Sequence, residues 1–76
     1  MAYYLCIGID TLDEACRYAT KKDALDTFRD VAEGLARFGQ DVQGTIHVAD
    51  RRSEIVDEPD FYLRLGPRGG LRCERR

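Results

Sequence analysis

The sequence predicts an α+β fold of two layers, with a single helix packed on one face of a mainly antiparallel sheet in the order β-β-α-β-β-β. Three observations carry this expectation. Five segments alternate apolar and polar residues with period two, as half-buried strands do. One segment, from Thr20 to Gly39, repeats its apolar residues at steps of three and four, as an amphipathic helix does. The connections between these segments are turn-like, and 76 residues suffice for one small domain, spanning 1–76.

The first strand is AYYLCIGID. Tyr3, Leu5, Ile7 and Ile9 share one face, and Tyr4, Cys6 and Gly8 share the other; the aromatic and β-branched content supports the assignment. TLDE reads as a turn. ACRYA is a second, short strand with Cys16 and Tyr18 inward and Arg17 outward. Thr20 then opens the helix as N-cap, with Asp23 three residues on in a variant of the capping box. The predicted apolar stripe is Ala24, Leu25, Phe28, Val31, Ala32, Leu35 and Phe38, and Gly39 supplies a left-handed stop. Gly34 inside the helix costs about 1 kcal/mol against alanine, which suggests a close packing contact there.

VQGTIHVAD is the third strand, with Val42, Ile46 and Val48 on one face and Gln43, Thr45 and His47 on the other. Asp50 is placed to cap a short helical turn through RRSEIV, which Pro59 ends. DFYLRLGPRGGLRCERR then closes the chain as a hairpin. Phe61, Leu63, Leu65, Leu71 and Cys73 face in; Tyr62, Arg64, Arg72 and Glu74 face out. Gly66, Pro67, Gly69 and Gly70 give the turn, and Glu74, Arg75 and Arg76 are expected to fray.

A single helix covers one sheet face only, so the other must meet water or a partner. The alternation places Tyr4, Cys6, Arg17, Gln43, Thr45, His47, Tyr62, Arg64, Arg72 and Glu74 on it. Tyrosine and arginine are the residue types enriched at interface hot spots. The partner-binding candidates are therefore Tyr4, Arg17, His47, Tyr62, Arg64 and Arg72, with Arg68 at the adjoining turn. A protein partner is expected there, either a larger target or a second copy forming a homodimer through the open sheet face. The competing reading is a nucleic-acid platform, with tyrosines stacking on bases and arginines on phosphates.

Charge weighs against that alternative. Residues 1–59 hold 12 acidic and 7 basic residues, a balance of −5, and residues 60–76 hold 2 and 5, a balance of +3. The net −2 is not that of a general nucleic-acid binder. The acids gather at Asp10, Asp13 and Glu14, and at Asp50, Glu54, Asp57, Glu58 and Asp60. DRRSEIVDEPD lacks the glycine and oxygen spacing of a calcium loop. One histidine and three cysteines without CxxC spacing give no metal site and no cofactor motif. Ser53, His47 and an aspartate have no spacing that supports a triad, and GPRGG lacks the elements of a phosphate loop. Cys6 beside His47 is the one conceivable reactive pair. No apolar run approaches ~18 residues, so neither a membrane span nor a signal peptide is expected, and the thiols fit a cytoplasmic setting.

ARFGQ, VQGTIHVAD and DFYLRLGPRGGLRCERR resemble segments of small uncharacterised proteins carried on bacterial plasmids and phages. Size, acidity and a one-helix sheet are also similar to the anti-CRISPR proteins. Members of that class are mostly non-enzymatic and act by binding a host nuclease complex. The resemblance implies a mobile-element inhibitor that docks on a host defence complex. The class shares no fold or motif, so it transfers no functional residue.

Overall fold

The computed structural model describes residues 1–8, 11–66 and 70–76. Strands β1 (Ala2–Ile7), β2 (Cys16–Tyr18), β3 (Val42–Ala49), β4 (Phe61–Leu65) and β5 (Leu71–Arg75) form one sheet in the order β2-β1-β3-β4-β5. Every neighbouring pair is antiparallel. The helix α1 (Lys21–Ala36) lies between β2 and β3 in the chain and packs over β1 to β4. This is the α+β order the alternation predicts, including a short helical turn (Arg52–Glu54) ahead of β4. No helix among the described residues is long and apolar enough to cross a membrane.

The cap at Thr20 is as expected: its hydroxyl accepts from the Asp23 amide at 3.1 Å. Gly39 is left-handed, with φ +78°, and its amide donates to Ala36 O at 2.9 Å. The buried stripe is narrower than predicted. It consists of Ala24, Phe28, Ala32 and Ala36, a row at steps of four, with Leu25 partly covered. Val31 and Leu35 are exposed, and Phe38 is 80% exposed. Three alanines bring the helix close to the strands, and that closeness leaves the flanking large residues outside the contact.

The core on this side joins the helix row to Leu5, Val42, Ile46, Leu63 and Leu65, with Tyr3, Ile7, Tyr18, Phe61 and Leu71 at its margin. Phe28 is the one aromatic side chain of the helix row and is fully buried. A Cβ on Gly44 would lie 2.7 Å from Phe28 Cε1 and 2.8 Å from the Cys6 carbonyl. The glycine thus leaves a notch in β3 that the ring fills. Gly34 makes no such contact: nothing lies within 4 Å of the Cβ it lacks, and it is exposed.

Other expectations are corrected. Cys16 and Cys73 do face the helix side, opposite Leu5 and Leu63, but both are exposed. They sit on the two edge strands, at the limits of the helix's cover. Asp50 does not cap the turn at Arg52; Arg51 occupies the cap position without a side-chain bond, and the Asp50 carboxylate lies 3.2 Å from the Met1 amine. The closing strand does not fray. Arg75 pairs with Phe61, the Arg76 amide donates to Asp60 O at 3.0 Å, and the Arg76 guanidinium pairs with Glu58. Asp60 also accepts from the Val48 amide at 2.7 Å, so one residue ties β3, β4 and β5 together. Ile9, Asp10, Pro67, Arg68 and Gly69 lie outside the described residues.

Because Gly34 is exposed and holds no contact, Gly34→Ala recovers helix propensity without a packing penalty. It is expected to stabilise the chain by about 1 kcal/mol, read as a higher urea midpoint at unchanged slope.

Candidate functional site

The register arranges the second sheet face as four rows running across the strands, the first being Ala2 and Ala49. Arg17, Tyr4 and His47 stand in the second. Cys6, Thr45, Tyr62 and Glu74 form the next, and Gln43, Arg64 and Arg72 the fourth. All the sequence-predicted site residues that are described lie on this face. The structure divides them into a covered half and an open half.

The covered half holds Tyr4 and His47, each only 3% exposed, which corrects the expectation that they present themselves to a partner. Ala2, Tyr4, Cys6, Ala15 and Ala49 make a second small core, with Leu12 and Ile55 packed on it. Its cover comes from two connections, through residues 11–15 and 50–60. Arg52 binds one to the other. Its Nη1 donates to the carbonyls of Leu12 and Asp13, both at 3.1 Å, and its Nη2 to that of Ala15 at 2.7 Å. The same guanidinium lies 5.4 Å from the centroid of the Tyr4 ring, within cation–π range. An arginine fork with three carbonyl acceptors is a good clasp because all its donors are fixed in one plane.

His47 is part of this closure. Its Nδ1 lies 3.0 Å from Val56 O and its Nε2 3.1 Å from Thr45 Oγ1. A carbonyl can only accept, so Nδ1 carries the proton and Nε2 of the neutral ring accepts from the threonine hydroxyl. Both nitrogens therefore hold structure together. Cys6 donates to Thr11 O at 3.7 Å, and its cross-strand neighbour is Thr45, whereas that of His47 is Tyr4. The ring is thus committed away from both Cys6 and Ser53. Among the described residues no three His, Cys, Asp or Glu side chains are grouped to hold a metal ion.

The open half spans β3, β4 and β5. A concave site of about 400 Å³ is lined by Gln43, Thr45, Tyr62, Arg64, Arg72 and Glu74, with Gly8, Gly44 and Leu63 alongside. Tyr62 is 49% exposed, and Arg64 and Arg72 are exposed. These two arginines are directly opposite each other across β4 and β5, an arrangement that like charges disfavour. Asp41 pairs with Arg64, and its hydrogen bond and charge raise the guanidinium's pKa further above its usual value. Arg72 has no ion-pair partner among the described residues.

Of the predicted site residues, the structure brings together Tyr62, Arg64 and Arg72. Arg17 is exposed but stands at the other edge, on β2, with buried Tyr4 and His47 between. Arg68 is outside the described residues. Sequence reasoning missed Arg52, Leu12 and Ile55, the residues that close the other half. A signal existed: both long connections carry apolar side chains, which need a surface to bury them.

No family model, no curated protein and no solved structure matches this chain. Fold and face define a small open-sheet α+β module whose second face is half closed by its own connections.

Replacing Arg52 with alanine removes the clasp. Thiol labelling is the direct measurement: Cys6 is expected to react several-fold faster in Arg52→Ala, while Cys16 and Cys73 keep their rates. The loss of charge-assisted bonds at a largely exposed site is expected to cost about 1 kcal/mol of stability.

Proposed function

We propose that this chain is a small non-catalytic protein-binding module that docks through the open half of its second sheet face. Its most concrete form is an inhibitor from a mobile element that occupies a host defence complex of the CRISPR-Cas type. The observation that carries the reading is the cluster of exposed Tyr62, Arg64 and Arg72 around a concave site, on a face no helix covers. An aromatic ring and two guanidiniums at a shallow depression are the usual anchors of an interface hot spot. Arg72, opposite a second arginine and without an acidic partner among the described residues, favours a partner that brings a carboxylate. The non-catalytic character rests on His47, whose two ring nitrogens are both engaged in structural bonds. The inhibitor form rests on the resemblance in size, acidity and architecture.

The Arg64–Arg72 pair beside Tyr62 also favours a second reading, a nucleic-acid accessory protein using the same face. Salt distinguishes the two. Nucleic-acid binding through phosphates weakens steeply as salt rises, because counterions are released.

The experiment is a pull-down from a bacterial host with the parent chain and with the double variant Tyr62→Ala/Arg64→Ala, its fold checked by circular dichroism. The expected outcome is a specific protein captured by the parent and lost from the variant. Equal capture by both chains would refute the docking face. A gel shift of DNA or RNA at ~50 mM salt that vanishes at higher salt would install the second reading instead.

A further inference from the structure

The free edge of β5 carries a pattern that shares Arg72 with the docking face but uses the backbone of the strand as well. β5 is the last strand of the sheet, five residues long, and its residues from Arg72 onward are exposed. The opposite edge, β2, has only three residues. Two hydrogen bonds fix which backbone groups of β5 point outward. The Arg76 amide donates to Asp60 O, and the Gly66 amide donates to Gly70 O. In an antiparallel ladder the inward-pointing residues alternate with outward-pointing ones. Arg72 and Glu74 therefore turn their amides and carbonyls toward β4, and Leu71, Cys73 and Arg75 turn theirs to the outside.

An edge of this kind is a template for another strand unless it is blunted. Charges of a single sign would blunt it by self-repulsion. β5 instead carries Arg72 and Glu74, opposite signs two residues apart on one face, with Cys73 at the centre between them. We propose that β5 pairs antiparallel with β5 of a second copy, about a two-fold axis at Cys73. In that register Leu71 and Arg75 of one copy lie opposite Arg75 and Leu71 of the other. All three outward-pointing residues then exchange hydrogen bonds with their counterparts. Arg72 falls opposite Glu74 of the second copy, and Glu74 opposite its Arg72. Both are at positions where the ladder makes no hydrogen bond, and there opposed side chains come closest.

Shifting the pairing by two residues keeps the hydrogen-bond parity but removes both ion pairs and leaves one outward-pointing residue of each copy unmatched. The pattern of signs and the pattern of backbone groups thus select the same register. The Arg76–Glu58 pair and the Asp60 contacts hold the end of the strand in line for it. The result is a ten-stranded sheet in which the two concave sites, each lined by Arg72 and Glu74, become neighbours across the axis. A five-residue edge buries less than the ~1,200 Å² of a stable interface, so association depends on concentration.

The test uses Cys73 as a reporter of the axis. In a Cys16→Ser chain, a short bis-maleimide is expected to join Cys73 to Cys73, faster as the chain concentration rises. It should act much faster than it joins Cys16 to Cys16 in a Cys73→Ser chain. Glu74→Arg puts like charges opposite each other twice and is expected to slow the reaction at least about fivefold. The exchanged pair Arg72→Glu/Glu74→Arg is expected to restore it. Equal rates in the parent and in Glu74→Arg, or no recovery in the exchanged pair, would overturn the proposal. Amide exchange on the unmodified chain provides a measurement that no variant's folding can confuse. Leu71, Cys73 and Arg75 should gain protection with concentration, and unchanged protection would refute the pairing.

Discussion

The seat of Phe28 against the backbone of β3 governs the rest of the architecture. Gly44 leaves a gap with the shape of a missing Cβ, and the phenyl ring lies in it, fully buried. That contact, with Ala24, Ala32 and Ala36 along the same row, draws the helix down over the middle of the sheet. Close approach gains dispersion contacts for a chain too small to build a large core. It also determines what the helix cannot cover. β5 remains an edge with exposed residues, and the whole second face is left to other means.

Those means are the two long connections. They have enough apolar residues, in Leu12 and Ile55, to close the half of the face nearest β1. They are held there by polar bonds more than by bulk: Arg52 spans three carbonyls of one connection, and His47 receives the other through Val56 O. Over β3, β4 and β5 the described residues supply no such cover, and the side chains there are amphipathic and charged. A fold that closes one half of a face and leaves aromatic and cationic residues on the other is the layout on which the proposed docking rests.

Much of this layout was legible in the residues. Period-two alternation gave the five strands and assigned each described side chain to its correct face, because a pleated strand permits only two. Thr20 and Gly39 marked the helix ends through backbone needs that few residues meet as well. What alternation does not encode is which parts of a face are covered. Tyr4 and His47 were placed on the correct side yet are buried, since their cover comes from segments without periodicity. Cys16 and Cys73 were also placed correctly yet are exposed, since strand order, not pattern, puts them at the edges. Val31, Leu35 and Phe38 continue the helical period, but the row of small alanines is the one that packs against the sheet. The close contact expected at Gly34 lies at Gly44 instead. Gly44, within a central strand between β-branched and polar neighbours, had the stronger claim to a close contact, and Gly34 on a helix had only its cost.

The dependence of the fold on one ring in one notch is measured most directly by a double-mutant cycle in urea. The four chains are the parent, Gly44→Ala, Phe28→Leu and the two together. Overpacking predicts that Gly44→Ala alone costs about 1–3 kcal/mol. In the Phe28→Leu background that cost should fall by at least about 0.5 kcal/mol, because the ring that collides with the new methyl group is gone. Additive costs would contradict the account, since they would mean that the helix is not seated on the sheet through Phe28 and Gly44.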